Sequence, residues 1–85
     1  MKKITIFTLN YCPFCIKAKH LLDLKNIKYD EIDISKNKEK YEEMIIKSNG
    51  AKSVPQIFIN DTHLGDCDYI HSLEDEGKLD AILKD

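Results

Sequence analysis

Apolar positions along this chain switch repeatedly between the spacing of a strand and that of a helix. Residues 3–9, KITIFTL, hold a nearly continuous β-branched and aromatic run of strand length. Such a run predicts a central strand buried on both faces. Pro13 then suits the first position of a helix, where the amide hydrogen it lacks is not needed. From Cys15 onward Ala18, Leu21 and Leu22 recur at helical spacing, and Asn26 supplies a stop. Residues 29–34 read as a second strand, with Ile32 and Ile34 alternating against Asp33. Ser35 is placed to cap a second helix with a buried stripe of Tyr41, Met44 and Ile45, ended by Asn49 and Gly50. Pro55 opens the next unit. Residues 56–59 form a third strand, Asn60 and Asp61 a tight turn, and residues 62–64 a returning fourth strand, which together make a hairpin. After Gly65 a final helical region carries Ile70 and Leu73. Gly77 interrupts it, and Leu79, Ile82 and Leu83 make a last amphipathic turn or two. The order βαβα-ββα predicts one α/β domain over residues 1–85, with its first two strands parallel through a right-handed crossover.

Composition narrows the function classes. Eighty-five residues allow one modest core. Hydrophobic residues at 42% and charged residues at 33% fit an ordinary folded domain rather than a disordered chain. The net charge of −2, with lysines and acids interspersed, lacks the one-sided basic face of a nucleic-acid binder. The apolar stretch at residues 4–9 is short and broken by Thr5 and Thr8, and no small-residue cleavage site follows. Leu9 stands three residues before Cys12, as in a lipoprotein signal, but Asn10 and Tyr11 are too large for that processing. No segment approaches the ~20 apolar residues of a membrane span. A cytoplasmic protein with no membrane or nucleic-acid partner is expected, with a monomer as its simplest state.

The chain has three cysteines, Cys12, Cys15 and Cys67. The first two frame YCPFC, residues 11–15. Such a pair can bind metal, form a structural disulfide, or exchange electrons with other thiols. An odd count is a poor disulfide framework, and a fixed staple does not persist in a reducing compartment. Cys12 falls between a strand and a helix. Free first-turn amides and the positive end of the helix dipole there favour a thiolate, and Lys17 and Lys19 lie nearby in sequence. Such environments lower a cysteine pKa from about 8.5 to ~3.5–7.5. A less basic thiolate is also a weaker nucleophile, so the gain in attack is nearly offset. The larger benefit is as a leaving group. Cys15, one turn on, is near enough to resolve a mixed disulfide. Pro13 constrains the loop. Phe14 either exposes an aromatic edge where a partner rests or simply fills space.

Two further stretches carry candidate chemistry. Ser53-Val54-Pro55 precedes the third strand. Most X-Pro bonds are trans, ~95% in folded proteins, so spacing alone favours trans here. A cis bond would instead turn the Val54 backbone toward the cysteines, offering its amide and carbonyl to an extended peptide. Leu64-Gly65-Asp66-Cys67-Asp68 either offers free amides to a carboxylate, with Asp68 accepting from an amine, or is a plain turn with an N-cap. Residues alone favour the second. Cys67 is a buried inert thiol, a glutathionylation site or a ligand neighbour. His20, His63 and His71 read as surface or partly buried residues, and Glu74-Asp75-Glu76 as a solvated face.

Together, CPFC at residues 12–15, SVP at 53–55 continuing as VPQIFIN, and LGDCD at 64–68 resemble a small dithiol glutaredoxin of the bacterial type. That family carries CPYC, TVP and IGGCD in the same order and spacing, and the resemblance covers essentially the whole chain. It implies a thioredoxin-like fold, a mixed four-stranded sheet flanked by helices, with a cis Val54–Pro55 bond. It implies reduction of protein disulfides and of glutathione–protein mixed disulfides, with glutathione as reducing co-substrate, no tightly bound cofactor and no metal. Cys12 matches the nucleophile and Cys15 the resolving thiol. Glutathione would be held by Pro13, Phe14, Lys52, Ser53, Val54, Pro55, Gly65, Asp66, Cys67 and Asp68. The Val54 backbone would pair with its cysteine, and Cys67 and Asp68 would take the γ-glutamyl end. The implied partners are glutathione and disulfide-containing or glutathionylated proteins.

The chain departs from that pattern in places. Phe14 replaces Tyr and loses a phenolic hydroxyl. Leu9 stands where many members carry Lys or Arg facing the glycine carboxylate of glutathione, and Asp66 replaces the second Gly. An exposed charge pair is worth ~0.2–1 kcal/mol, so glutathione is expected to bind several-fold more weakly unless Lys52 compensates. Two other readings compete. A redoxin fed by thioredoxin reductase is compatible with Leu9 and Asp66, though VP and GxCD argue against it. A metal or iron–sulfur module has two ligands in Cys12 and Cys15 but no second CxxC, and Cys67, His63 or His71 would have to complete the site. The cluster-binding monothiol members carry CGFS, from which Pro13 departs.

Overall fold

β-branched and aromatic residues build the first strand, β1 (Ile4–Thr8), in which every residue except Thr5 is buried. The computed structural model describes residues 2–83. After β1 come α1 (Pro13–Leu24), β2 (Asp30–Asp33), α2 (Lys38–Lys47), β3 (Gln56–Ile59), β4 (Thr62–Gly65), α3 (Cys67–Asp75) and α4 (Leu79–Leu83). One mixed sheet has the order β2-β1-β3-β4. β1 pairs parallel with β2, placing Phe7 opposite Ile32, and antiparallel with β3, placing Ile6 opposite Ile57. The β3–β4 hairpin turns through Asn60 and Asp61, whose φ values of 48° and 71° match the primed turns that suit strand twist.

Alternation along β1 and β3 sorts the core into two layers. Ile4, Ile6 and Ile57 pack with Ala18, Leu21 and Leu22 of α1, Ile70 and Leu73 of α3, and Leu79 and Leu83 of α4. Phe7 and Phe58 point the other way, onto Met44 of α2 and Ile34, with Tyr41 and Ile45 alongside. The thioredoxin-like arrangement of a mixed sheet flanked by helices is thus present. Among the described residues no helix is long and apolar enough to cross a membrane.

One local expectation is corrected. Asn37, not Ser35, caps α2: its Oδ1 accepts from the Lys40 amide at 3.1 Å. The Ser35 amide instead donates to Asp33 Oδ1 at 2.8 Å in a turn that ends β2, so the chain is not yet in helix entry there. Asp75 and Glu76 are exposed, and Glu74, partly exposed, meets Lys25 Nζ through its Oε1 at 2.7 Å.

Candidate active site

The chain leaves β1 through Leu9, Asn10 and Tyr11 and enters α1 at Cys12. Cys12 is the N-cap, with φ −83° and ψ 113°, and its Sγ accepts from the Cys15 amide at 3.4 Å. A cap sulfur thus takes the place usually held by a side-chain oxygen. Pro13 sits in the first helical turn, where an amide hydrogen would have no intrahelical partner. The Cys12 amide donates to the Leu9 carbonyl at 3.4 Å, and its thiol faces the Val54 carbonyl at 3.7 Å.

The two sulfurs differ in access. Cys12 is partly exposed, whereas Cys15 is buried. Burial is the first cause that pushes the Cys15 thiol up to about 12. The Leu9 backbone opposes it by hydrogen bonding, the Cys12 sulfur adds to it through a hydrogen bond and its charge, and the Lys19 charge opposes it. Cys15 therefore waits as a thiol at neutral pH. Cys67 is buried too. Loss of water, then the Asp68 charge, raises its thiol against the pull of Lys17.

Beside Cys12 lies a cleft lined by Phe14, Ser53, Val54, Pro55, Asp66, Cys67 and Asp68. Residues from three distant stretches meet there, all of them named by the sequence reading. The Val54–Pro55 bond is cis, against the expectation from spacing and in line with the resemblance. Phe14 is 52% exposed, so it is not a core residue. Gly65 has φ 152°, and a Cβ there would meet Tyr69 Cδ2 at 2.6 Å, so only glycine lets the chain turn this closely into α3. Asp66 is the N-cap of α3, accepting from the Tyr69 amide at 2.9 Å. Its carboxylate is therefore engaged with the helix, as the plain-turn reading held. Lys52 is exposed and does not line the cleft.

Gln56 was not singled out from the sequence as a contributor. Gln56 is buried, and its Nε2 donates to the Ser53 carbonyl at 3.0 Å while its Oε1 lies 2.6 Å from His63 Nε2. This chain of contacts braces the Ser53-Val54-Pro55 turn. Lys17 and Lys19, grouped together near Cys12 in sequence, have separate roles in space. Lys17 Nζ lies 5.8 Å from the Phe14 ring centroid, whereas Lys19 pairs with Glu31 on β2 at 2.9 Å. A further groove beyond Phe14 and Cys67 is lined by Lys17, His20 and His71. Among the described residues no group of three or more His, Cys, Asp and Glu is arranged to hold a metal ion.

Comparison with known proteins follows the same lines. The family profile described as Glutaredoxin matches residues 4–64. The chain is similar to glutaredoxin 1 of Rickettsia felis, 54% identical over 82 residues that cover 95% of this chain and 80% of that one. Its structure is similar to the solution structure of glutaredoxin from Brucella melitensis, with 45% identity, a TM-score of 0.83, and coverage of 96% and 88% of the two chains. It is also similar to the crystal structure of a buckwheat glutaredoxin–glutathione complex, with 25% identity, a TM-score of 0.86, and coverage of 96% and 76%.

Proposed function

This chain belongs to the glutaredoxin family and is a glutathione-dependent thiol–disulfide oxidoreductase, and we propose that Cys12 is its nucleophile and Cys15 its resolving thiol. The unequal placement of the two sulfurs carries this assignment. A disulfide entering the cleft meets the partly exposed Cys12, not the buried Cys15. Attack by Cys12 forms a mixed disulfide and releases one thiolate. Cys15 then attacks the Cys12 sulfur, closes the Cys12–Cys15 disulfide and releases the second thiol. Glutathione restores the dithiol by the same exchange in reverse. A mixed disulfide with glutathione itself needs only Cys12, because a second glutathione takes the place of Cys15.

Glutathione occupies the cleft on this reading. The Val54 backbone beside Cys12 pairs with its cysteine. The first turn of α3, where the amides of Cys67 and Asp68 have no intrahelical partner, takes the γ-glutamyl end. Phe14, Ser53 and Pro55 shape the walls, Pro13 fixes the start of α1 between Cys12 and Phe14, and Gly65 lets the backbone approach. The cleft lining and the likeness to a glutaredoxin solved with glutathione support this placement. Leu9 supplies no cation for the glycine carboxylate, and Lys52, outside the cleft lining but exposed and next in sequence to the lining residue Ser53, is the substitute where that carboxylate extends past the cleft. Disulfide-containing and glutathionylated proteins are the partners, served by a monomer.

Peptide mapping by mass spectrometry tests the assignment. Cys15→Ser treated with glutathione disulfide is expected to carry one glutathione, on Cys12, with Cys67 unmodified. An adduct formed first on Cys67, or none at all, would contradict it.

A further inference from the structure

A small polar network links α1, which carries Cys15, to β1 and β2. Lys19 stands four residues beyond Cys15 on α1, so both side chains lie on one face of the helix. Its Nζ lies 2.9 Å from Glu31 Oε2 on β2. The Thr8 hydroxyl, at the end of β1, donates to the same oxygen at 2.7 Å. Thr8 is 1% exposed and Cys15 0%. The ammonium is thereby tied between α1 and the sheet, with the Lys19 side chain still 27% exposed.

The resolving step is where a fixed cation matters. Once Cys12 is in a mixed disulfide it carries no charge, and its opposition to ionisation of Cys15 is gone. Burial still opposes it. The groups that act on the Cys15 thiol are the Leu9 backbone after β1, Cys12 at the N-cap of α1 and, as the smallest contribution, Lys19 one turn on along α1. Behind Lys19 stand Glu31 and Asp33 of β2 and the nearby Tyr29. Lys19 is the one cation in this set.

We propose that Lys19, held by Glu31 and Thr8, is a positioning residue for the resolving step, its ammonium favouring the Cys15 thiolate that closes the Cys12–Cys15 disulfide. The inference rests on Cys15 being the resolving thiol. In the step Cys15 gives its proton to solvent and its thiolate attacks the Cys12 sulfur. The Cys12–Cys15 bond forms as the bond from Cys12 to the partner sulfur breaks, and the partner leaves as a thiolate that is protonated by water. In this step the Cys15 sulfur is oxidised and the partner sulfur is reduced, while the Cys12 sulfur stays at the disulfide level it reached in the first step. Lys19 transfers no proton.

Stopped-flow mixing of the reduced protein with one equivalent of an aromatic disulfide reads both steps, because each releases one coloured aryl thiolate. The first phase reports attack by Cys12, the second resolution by Cys15. A nearby opposite charge moves a pKa by about one unit or more, and the more basic thiolate recovers part of the loss through higher nucleophilicity. Lys19→Met is therefore expected to slow the second phase about threefold at neutral pH and to move its pH profile up by about one pH unit. Lys19→Arg is expected to restore the wild-type profile. A second phase with the wild-type pH profile in Lys19→Met overturns the proposal, as does equal slowing of both phases with no change of profile. Cys15→Ser separates the premise from the inference: it is expected to lack the second phase, and a second phase that persists there overturns the resolving role itself.

Discussion

Cys12 and Cys15 are three residues apart and have opposite surroundings. One caps a helix in a cleft, the other is sealed beneath it. The spacing and the proline between them were readable, since a strand followed by Pro at a helix start leaves Cys12 little choice of place. The Lys19–Glu31–Thr8 contact was not. It joins residues whose proximity depends on the parallel β1–β2 register, which pairs Ile6 with Glu31 and Thr8 with Asp33. Periodicity marks which residues are buried but not which polar groups meet across strands. Leu9 offers a test at this scale. It is 37% exposed and hydrogen-bonded through its carbonyl to the Cys12 amide. Leu9→Lys adds a cation near the entrance to the cleft and is expected to lower the KM for glutathione by up to about fivefold, the size of an exposed charge pair. Steady-state assays at varied glutathione check this, and an unchanged or higher KM would count against the placement of the glycine carboxylate.

At the level of elements, capping decides how the site is framed. α1 begins on a sulfur and α3 on a carboxylate, Asp66. The elements and their order were legible from apolar spacing, down to Asn26, Asn49 and Asn60, which adopt the left-handed conformation that ends a helix or turns a hairpin. The start of α2 was not, because Ser35 and Asn37 are both competent caps. The choice fell to Asn37 once Asp33 had taken the Ser35 amide. For α3 the cap has a measurable consequence. Asp66→Ala is expected to lower the free energy of unfolding in urea by about 1 kcal/mol, whereas Asp66→Gly costs only a few tenths of about that size. Equal losses would show that the carboxylate does not act as a cap.

On the scale of the whole molecule, function depends on sheet order. With β1 and β3 adjacent, the chain leaving β1 and the chain entering β3 arrive side by side, and Cys12 meets Val54. The parallel first pair and the hairpin were readable from connection lengths. The antiparallel joining of β1 to β3 was not, because a long connection leaves direction open, and there the likeness of motifs carried the expectation of a mixed sheet. Glu31 ties β2 to β1 and α1 and makes part of the stability sensitive to acid. The Thr8 hydroxyl first, then Lys19, holds its carboxyl below the usual range despite some burial. Its contribution is thus present above the unfolded-state value of about 4.3 and is lost as pH falls through the lower folded value. Glu31→Gln is expected to unfold at lower urea than wild type at pH 7, with the gap closing as pH drops through that window; a gap constant with pH would contradict the linkage. The most direct test of the dithiol assignment is turnover of a glutathione mixed disulfide by wild type, Cys12→Ser and Cys15→Ser. The account predicts no activity in Cys12→Ser and substantial activity in Cys15→Ser. Activity that survives loss of Cys12, or vanishes only with Cys15, would contradict it.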